Sequence, residues 1–380
     1  MKQFDIVIVG SGFAAYQLVK SLRRIDNSVS VAVVTGDDGH DYNKPDLSHV
    51  FTKKQTAEQV ITKRAESFAQ EYGISLYTNT WVEHVDPQLQ ILEMEGESLG
   101  FAKLVLATGA SPFIPVFKGS ASQDFLTHNS LIDYEKNQTR WRNASRILVL
   151  GGGLIGVEVA LDLASVGKQV FLVEPATRLM QNQLPDYIEL KLKQALQQES
   201  IKVVTDAFVT HIDEGPEAKL VTLNQGQELM VDEILVCAGL RANTVLAKDM
   251  GLEVNKGIIV DDYLCTSTAN IFALGDCAEI QGEVRAFLQP IVMSASALAK
   301  TLTGDATKLT LPTMLTKVKT PNYPIQFAGV VHDKQVTRWN YDASTNGILA
   351  TAFNDNDDMI GFIATRGRAP ESFKLLRELV

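Results

Sequence analysis

Twice in this chain a short apolar run stops at a glycine turn and a helical pattern begins. The first run, Phe4–Val9, meets Gly10-Ser11-Gly12-Phe13-Ala14-Ala15. Phe13, Tyr16, Leu18, Val19 and Leu22 then follow helical spacing, and Ser30–Val34 reads as a second buried strand. The second run, Arg146–Leu150, meets Gly151-Gly152-Gly153-Leu154-Ile155-Gly156, with a helix expected over Leu154–Val166 and a strand over Gln169–Glu174. Strand, glycine turn, helix and strand make a right-handed βαβ unit. The expected fold is therefore α/β with two dinucleotide-binding, Rossmann-like domains.

Each glycine has a separate physical task. Gly10 permits the tight turn, Gly12 lets the backbone approach a pyrophosphate, and Ala15 is small enough for close helix–strand packing. The helix that follows offers free N–H groups and a positive dipole end to the anion. An acidic residue about 20 positions on should hold the ribose. At the first site that count lands on Thr35, which is not acidic, so Asp37 and Asp38, just past the strand, could reach the ribose if the strand tip bends, Asp37 being the preferred candidate. At the second site Gly151, Gly153 and Gly156 fill all three positions, and Glu174 lies 18 residues past Gly156. A carboxylate there accepts from both ribose hydroxyls and repels a 2′-phosphate, favouring NADH over NADPH. Arg178, four residues on, could offset that repulsion, and Glu174 could instead be a solvated strand end.

Between the two units, Leu104–Ala107 reads as a strand ending in Thr108-Gly109-Ala110-Ser111-Pro112, with Pro112–Phe117 as a crossover linker. Further strands are expected at Ile201–Thr205, Leu220–Leu223 and Glu233–Cys237, with 238–241 as a return loop. Asn270–Leu274 then runs into Gly275-Asp276-Cys277 and a helix over Pro290–Leu302. Beyond Pro312 short strands dominate (Thr316–Lys319, Ile325–Val331, Gly347–Phe353, Met359–Ile363), closed by a helix over Pro370–Leu379. That tail reads as a third, α/β domain, and a chain of 380 residues has room for three domains. A net charge of −10 argues against a general nucleic-acid binder. Three cysteines and six histidines in no ligand-like spacing give no disulfide framework and no metal site. No run reaches the ~18 apolar residues of a membrane helix, and Asp5 interrupts any signal-peptide core. A cytoplasmic location without membrane insertion is expected.

Gly10–Ala15, Leu104–Gly109, Gly151–Glu158 and Thr266–Asp276 together resemble the four signatures of the pyridine-nucleotide flavoprotein reductases. Tyr42–Ser48 resembles the flavin-lining segment of the rubredoxin and ferredoxin reductase branch. Tyr42–Val50, Ser11–Lys20, Ala278–Ile280 and Lys317–Pro321 resemble the flavorubredoxin reductases of bacterial nitric oxide detoxification. The resemblance runs from residue 4 to about 325. It implies an FAD-binding domain over 1–111 and 239–310, an NAD-binding domain over 112–238 inserted in it, and a C-terminal interface domain over 311–380. The FAD set it implies is Gly10, Gly12, Phe13, Ala14, Ala15, Thr35, Asp37, Lys44, Pro45, Val82, Ala107, Thr108, Gly109, Gly275, Asp276, Gln289 and Pro290. Within that set Asp276 holds the ribityl chain, and the dipole of the helix begun by Gln289-Pro290 faces the flavin pyrimidine. The NAD set is Gly151, Gly153, Leu154, Ile155, Gly156, Glu174 and Gly239. Lys44 and Glu158 are the implied catalytic pair, Lys44 beside the flavin and Glu158 facing nicotinamide and flavin. Glu158 could instead be a plain helix-face residue. In many relatives a lysine stands where His49 does and partners that glutamate, so a His49–Glu158 contact is one expectation and a surface His49 the other.

The cysteines narrow the acceptor. Residues 38–60 hold no cysteine and no CxxC occurs, which removes thiol-relay chemistry. Cys277, Cys237 and Cys265 read as small packed residues. Electrons then leave the flavin directly. By resemblance they pass to a rubredoxin-type iron centre, either rubredoxin or the rubredoxin domain of flavorubredoxin. The alternatives are an NADH oxidase, an NADH:quinone reductase or a slow-turnover redox-sensing flavoprotein. Residues 311–380 carry a net charge of +1 against −11 for the remainder. Arg366, Arg368, Lys374, Arg377, Lys317 and Lys319 therefore mark either the surface least repellent to an acidic carrier or a solvated helix face.

Overall fold

The structure is a computed structural model that describes residues 1–332 and 334–379. The chain forms two compact units. The first comprises residues 1–44, 57–111 and 240–311. The strand Lys2–Val9 lies parallel to Val31–Val34 on one side and to Glu97–Leu106 on the other, with Ile8 paired to Val33 and to Val105. Ser75–Tyr77 extends the sheet beyond Val31–Val34, and Ile271–Ala273 runs parallel beside Glu97–Leu106. The strands Ile91–Met94 and Val82–Asp86 add an antiparallel meander. Central strands covered on both faces need apolar residues at every position, and Ile6, Val7, Ile8, Val31–Val34 and Leu104–Leu106 are all buried. Helix Phe13–Ile25 packs on helix Leu288–Leu302 beside this sheet.

The second unit comprises residues 45–56, 112–239 and 312–380. Its four-stranded parallel sheet has the order Lys202–Thr205, Gln169–Glu174, Arg146–Leu150, Glu233–Val236. A three-stranded antiparallel sheet, Val209–Glu214, Lys219–Leu223 and Glu228–Val231, shares its apolar core. The tail forms a five-stranded antiparallel sheet in the order Thr316–Val318, Ile325–Gly329, Met359–Thr365, Gly347–Phe353, Arg338–Ser344. The segment 45–56 is anchored here by Asp162, whose carboxylate accepts from the N–H of Phe51 (2.9 Å) and of Thr52 (3.0 Å) and from the Thr52 hydroxyl. Phe51, His128, Tyr134 and Trp141 stack edge and face around that anchor.

Two expectations need correction, and one strand was not anticipated. The return loop at 238–241 contains part of a strand, Leu240–Ala242, paired with Ala110–Pro112. The terminal helix over Pro370–Leu379 is instead a 3-10 turn, Arg366–Glu371, followed by a single turn, Ser372–Leu375. Ser372 is the one buried residue of that turn, so no apolar face packs to offset the cost of nucleating a longer helix. The strand Arg338–Ser344 (RWNYDAS) has no counterpart among the expected elements. It is an edge strand with most side chains exposed, so no alternation marks it.

Candidate functional site

Both glycine turns form helix N-termini left open to an anion. Gly12 caps Phe13–Ile25 and Gly153 caps Leu154–Ser165; neither helix has a side-chain cap or an acidic residue in its first turn. By contrast, Leu131–Asn143 is capped by the Ser130 hydroxyl and carries Asp133. Four unsatisfied N–H groups and a positive dipole end therefore face outward at each turn. The space around the glycines separates two roles. A Cβ on Gly10 would stand 2.3 Å from the carbonyl oxygen of Ala107, at φ +109°, and one on Gly151 would stand 2.3 Å from that of Cys237, also at +109°. A Cβ on Gly12 or Gly153 would meet nothing within 4 Å. The first pair holds strand to strand, whereas the second pair keeps a cradle free. This fits a dinucleotide pyrophosphate at each turn.

In the first unit the fold gathers most of the expected set. Ala107 and Gly109 lie at the end of Glu97–Leu106, and Gly275 rests on Ala14, where an added Cβ would come within 2.6 Å of the Ala14 methyl. Asn243 clamps the Thr108 turn: its side-chain amide donates to the Thr108 carbonyl (2.8 Å), and its own carbonyl accepts from the Thr108 hydroxyl (2.8 Å). Asn243 escaped the sequence reading because nothing in its neighbourhood is periodic. The Lys44 ammonium stands 3.9 Å from the Asp276 carboxylate. Burial pushes the Asp276 carboxyl above its ordinary value, and the Lys44 charge pulls it back. A cation and a half-buried carboxylate thus stand together beside the turn. Thr35 is occupied: its hydroxyl accepts from Ser11 (2.9 Å) and from the Asp37 N–H (3.2 Å). Asp37 is exposed at that strand tip, with Asp38 next to it. Val82 opens the strand Val82–Asp86, and Gln289 and Pro290 fall in the first turn of Leu288–Leu302.

In the second unit Gly151, Gly153, Leu154, Ile155, Gly156 and Glu174 come together. The Glu174 carboxylate accepts from the N–H of Gly152 (2.5 Å) and of Ala176 (2.8 Å), which fixes its direction. It lines a cavity of about 200 Å³ with Gly153, Ala176, Met180, Gln181, Asn182 and Gln183. Arg178 is held by the Leu184 carbonyl (3.1 Å) and the Asp186 carboxylate (2.5 Å), so its charge is engaged rather than waiting for a phosphate. Gly239 takes φ +104°, and its carbonyl accepts from the Phe113 N–H (2.9 Å).

Glu158 is 3% exposed, and its carboxylate accepts the Lys319 backbone N–H at 2.7 Å. The Lys319 ammonium donates to the Pro45 carbonyl (2.8 Å). His49 is half-buried; burial first and then the Lys319 charge lower its pKa, against Asp162 and Glu158, which raise it. It shares their field without a hydrogen bond to Glu158 among the described residues. Of the tail cations, Arg368 is neutralised by Asp342 and Glu371, Lys317 lies over Phe373, and Arg366 lies over Tyr323. Burial pushes the Cys237 thiol up to about 12 and raises those of Cys265 and Cys277. The Cys277 thiol donates to the carbonyls of Leu106 and Leu274, both at 3.3 Å. None of the three is an activated thiolate.

Comparison with known proteins gives concordant matches. Residues 4–300 match the family described as pyridine nucleotide-disulphide oxidoreductase, and residues 308–379 match the rubredoxin binding C-terminal domain. The chain is 48% identical over 374 residues to the nitric oxide reductase FlRd-NAD(+) reductase of Aliivibrio fischeri, spanning 98% of each chain. Among solved structures it resembles the ferredoxin reductase for the CYP199A2 system from Rhodopseudomonas palustris (26% identity, TM-score 0.88, covering 97% of this chain and 93% of that one). It shares its fold with the NADH:rubredoxin oxidoreductase from Clostridium acetobutylicum (18% identity, TM-score 0.83, covering 100% and 95%).

Proposed function

The chain belongs to the pyridine nucleotide-disulphide oxidoreductases, and from that premise we propose that it is an FAD-dependent reductase carrying electrons from NADH to a rubredoxin-type iron centre. The acceptor is rubredoxin or the rubredoxin domain of a flavorubredoxin, and the setting is the cytoplasm, where NADH is replenished. One observation carries the reading. Two open glycine cradles stand in a chain whose three thiols are all held above their ordinary pKa. Electrons can enter through a nicotinamide but have no thiol to leave by, and the C-terminal match supports an iron carrier as the exit.

When bound, FAD supplies acceptance of a hydride and release of the two electrons singly. The residues of the chain bind and orient. Gly10–Ala15 and the N-terminus of Phe13–Ile25 would hold the FAD pyrophosphate, with Asp37 at the adenosine ribose. Asp276 would take the ribityl hydroxyls, and Lys44 would supply positive charge beside it. Gly151, Gly153 and Gly156 would hold the NADH pyrophosphate, and Glu174, already aimed by two backbone N–H groups, the ribose. Glu158, fixed by Lys319, would position the nicotinamide. Residues 1–111 with 239–310 would then form the FAD-binding domain, 112–238 the NAD-binding domain and 311–380 the carrier interface. Within that interface Arg368 contributes no free charge, because two carboxylates hold it.

The test of the thiol-free route is alkylation. Exhaustive treatment of the folded, FAD-loaded protein with iodoacetamide should leave NADH-dependent rubredoxin reduction within about twofold of the untreated rate. Loss of turnover that NADH pre-reduction accelerates would reveal a thiol on the electron path.

A further inference from the structure

Trp81 is 75% exposed, whereas Trp141 is 1% exposed and packed in the aromatic cluster. An indole left in water gives up most of the free energy its burial could supply, so its position calls for a physical account. That position is fixed from one side. A Cβ on Gly36 would stand 2.5, 2.7 and 2.9 Å from Cε2, Cζ2 and Cδ2 of Trp81, so the six-membered ring lies against the bare α-carbon of Gly36. No positive φ calls for glycine at residue 36; the indole does. The backbone leading to Trp81 is stitched to the same strand tip. The Thr35 N–H donates to the Tyr77 carbonyl (2.9 Å), the Asn79 N–H to that of Asp37 (2.8 Å), and the Thr80 N–H to that of Thr35 (2.8 Å). Trp81 is therefore a rigidly mounted aromatic surface at the end of Val31–Val34, next to Asp37, where this fold recognises an adenosine ribose.

We propose that Trp81 is the stacking platform for the adenine ring of FAD. The inference rests on the FAD assignment above and adds a residue to it. A purine has a flat π-face, an indole offers the matching surface, and such stacks form without base-specific hydrogen bonds. Asp37 would fix the ribose, the open N-terminus of Phe13–Ile25 the pyrophosphate, and Trp81 the base, so three neighbouring features read one adenosine diphosphate.

The experiment is a titration of the flavin-stripped full chain with FAD, followed by quenching of flavin fluorescence, for the wild type, Trp81→Phe and Trp81→Ala. Melting of the flavin-free proteins runs in parallel. The expected result is an FAD Kd raised about tenfold or more in Trp81→Ala, the size of one lost base–aromatic stack. Trp81→Phe should stay close to the wild type, and all three melting temperatures should agree. Equal Kd values for Trp81→Ala and the wild type would overturn the assignment and leave the exposed indole to a protein partner. Equal weakening in both variants with a lowered melting temperature would also overturn it, by making Trp81 a purely structural residue. A wild-type chain that takes up no FAD would remove the functional reading itself.

Discussion

Four glycines, assigned by their place in the fingerprint to a tight turn or to a pyrophosphate cradle, divide into the same two kinds by the space around them. At Gly10 and Gly151 a methyl group would strike a neighbouring strand's carbonyl in a backbone conformation that L-residues rarely adopt. At Gly12 and Gly153 it would project into open space. Gly10→Ala should therefore cost the fold about 2–4 kcal/mol, seen as a large drop in melting temperature. Gly12→Ala and Gly153→Ala should melt near the wild type while losing affinity for FAD and for NADH respectively. A Gly12→Ala protein that keeps wild-type FAD affinity would remove the pyrophosphate from that turn. Glu174 supports a parallel test. Glu174→Ala should weaken NADH binding about tenfold or more while FAD stays bound, since a carboxylate shared by two ribose hydroxyls is lost; isothermal titration with NADH reads this directly. The spacing from Gly156 made Glu174 legible in sequence. The two backbone donors that aim it, and the engagement of Arg178 by Leu184 and Asp186, were not legible, because both depend on how the loop after Gln169–Glu174 turns.

At the level of elements, the segment 45–56 shows what periodicity misses. It carries little regular structure beyond the 3-10 turn Lys44–His49, yet it is held by the buried Asp162 carboxylate, by His128 and by the rings of Tyr134 and Trp141. His128 donates its Nε2–H to the Leu47 carbonyl at 2.7 Å, while its Nδ1 is buried without a partner. Burial depresses its pKa below the ordinary 6.5, against smaller raising effects from the Leu47 hydrogen bond, Asp133 and Asp162. A histidine whose folded pKa is depressed contributes stability that is complete above the unfolded value and is lost as pH falls through it. Thermal melts should accordingly show stability falling as pH drops below about 6.5, and His128→Gln should flatten that dependence. An unchanged slope would mean that another group governs the acid limb. Asp162→Ala should cost about 2–4 kcal/mol, because two backbone N–H groups and a hydroxyl lose their acceptor inside the protein. Long apolar strands and the two glycine-opened helices were readable in advance. The exposed edge strand Arg338–Ser344 and the truncated terminal helix were not, since tertiary pairing and the lack of a buried helix face decide them rather than pattern.

For the molecule as a whole, two repeats of one supersecondary unit, read from glycines about 140 residues apart, were enough to name the fold class and the pair of dinucleotides. The acceptor required a different kind of evidence, and it rests on the C-terminal match and on thiols that burial keeps protonated. Net charge told little about that acceptor, because the tail's apparent basic surplus is spent in part on internal ion pairs such as Arg368 with Asp342 and Glu371. The most direct test of the account is steady-state NADH oxidation by the FAD-loaded protein with a rubredoxin-type acceptor, with oxygen and with a soluble quinone, at one NADH concentration. The account predicts fast reduction of the iron centre, with turnover on oxygen and quinone lower by at least about tenfold. Slow iron reduction beside fast oxygen or quinone turnover would contradict it and make this chain an oxidase or quinone reductase on the same scaffold.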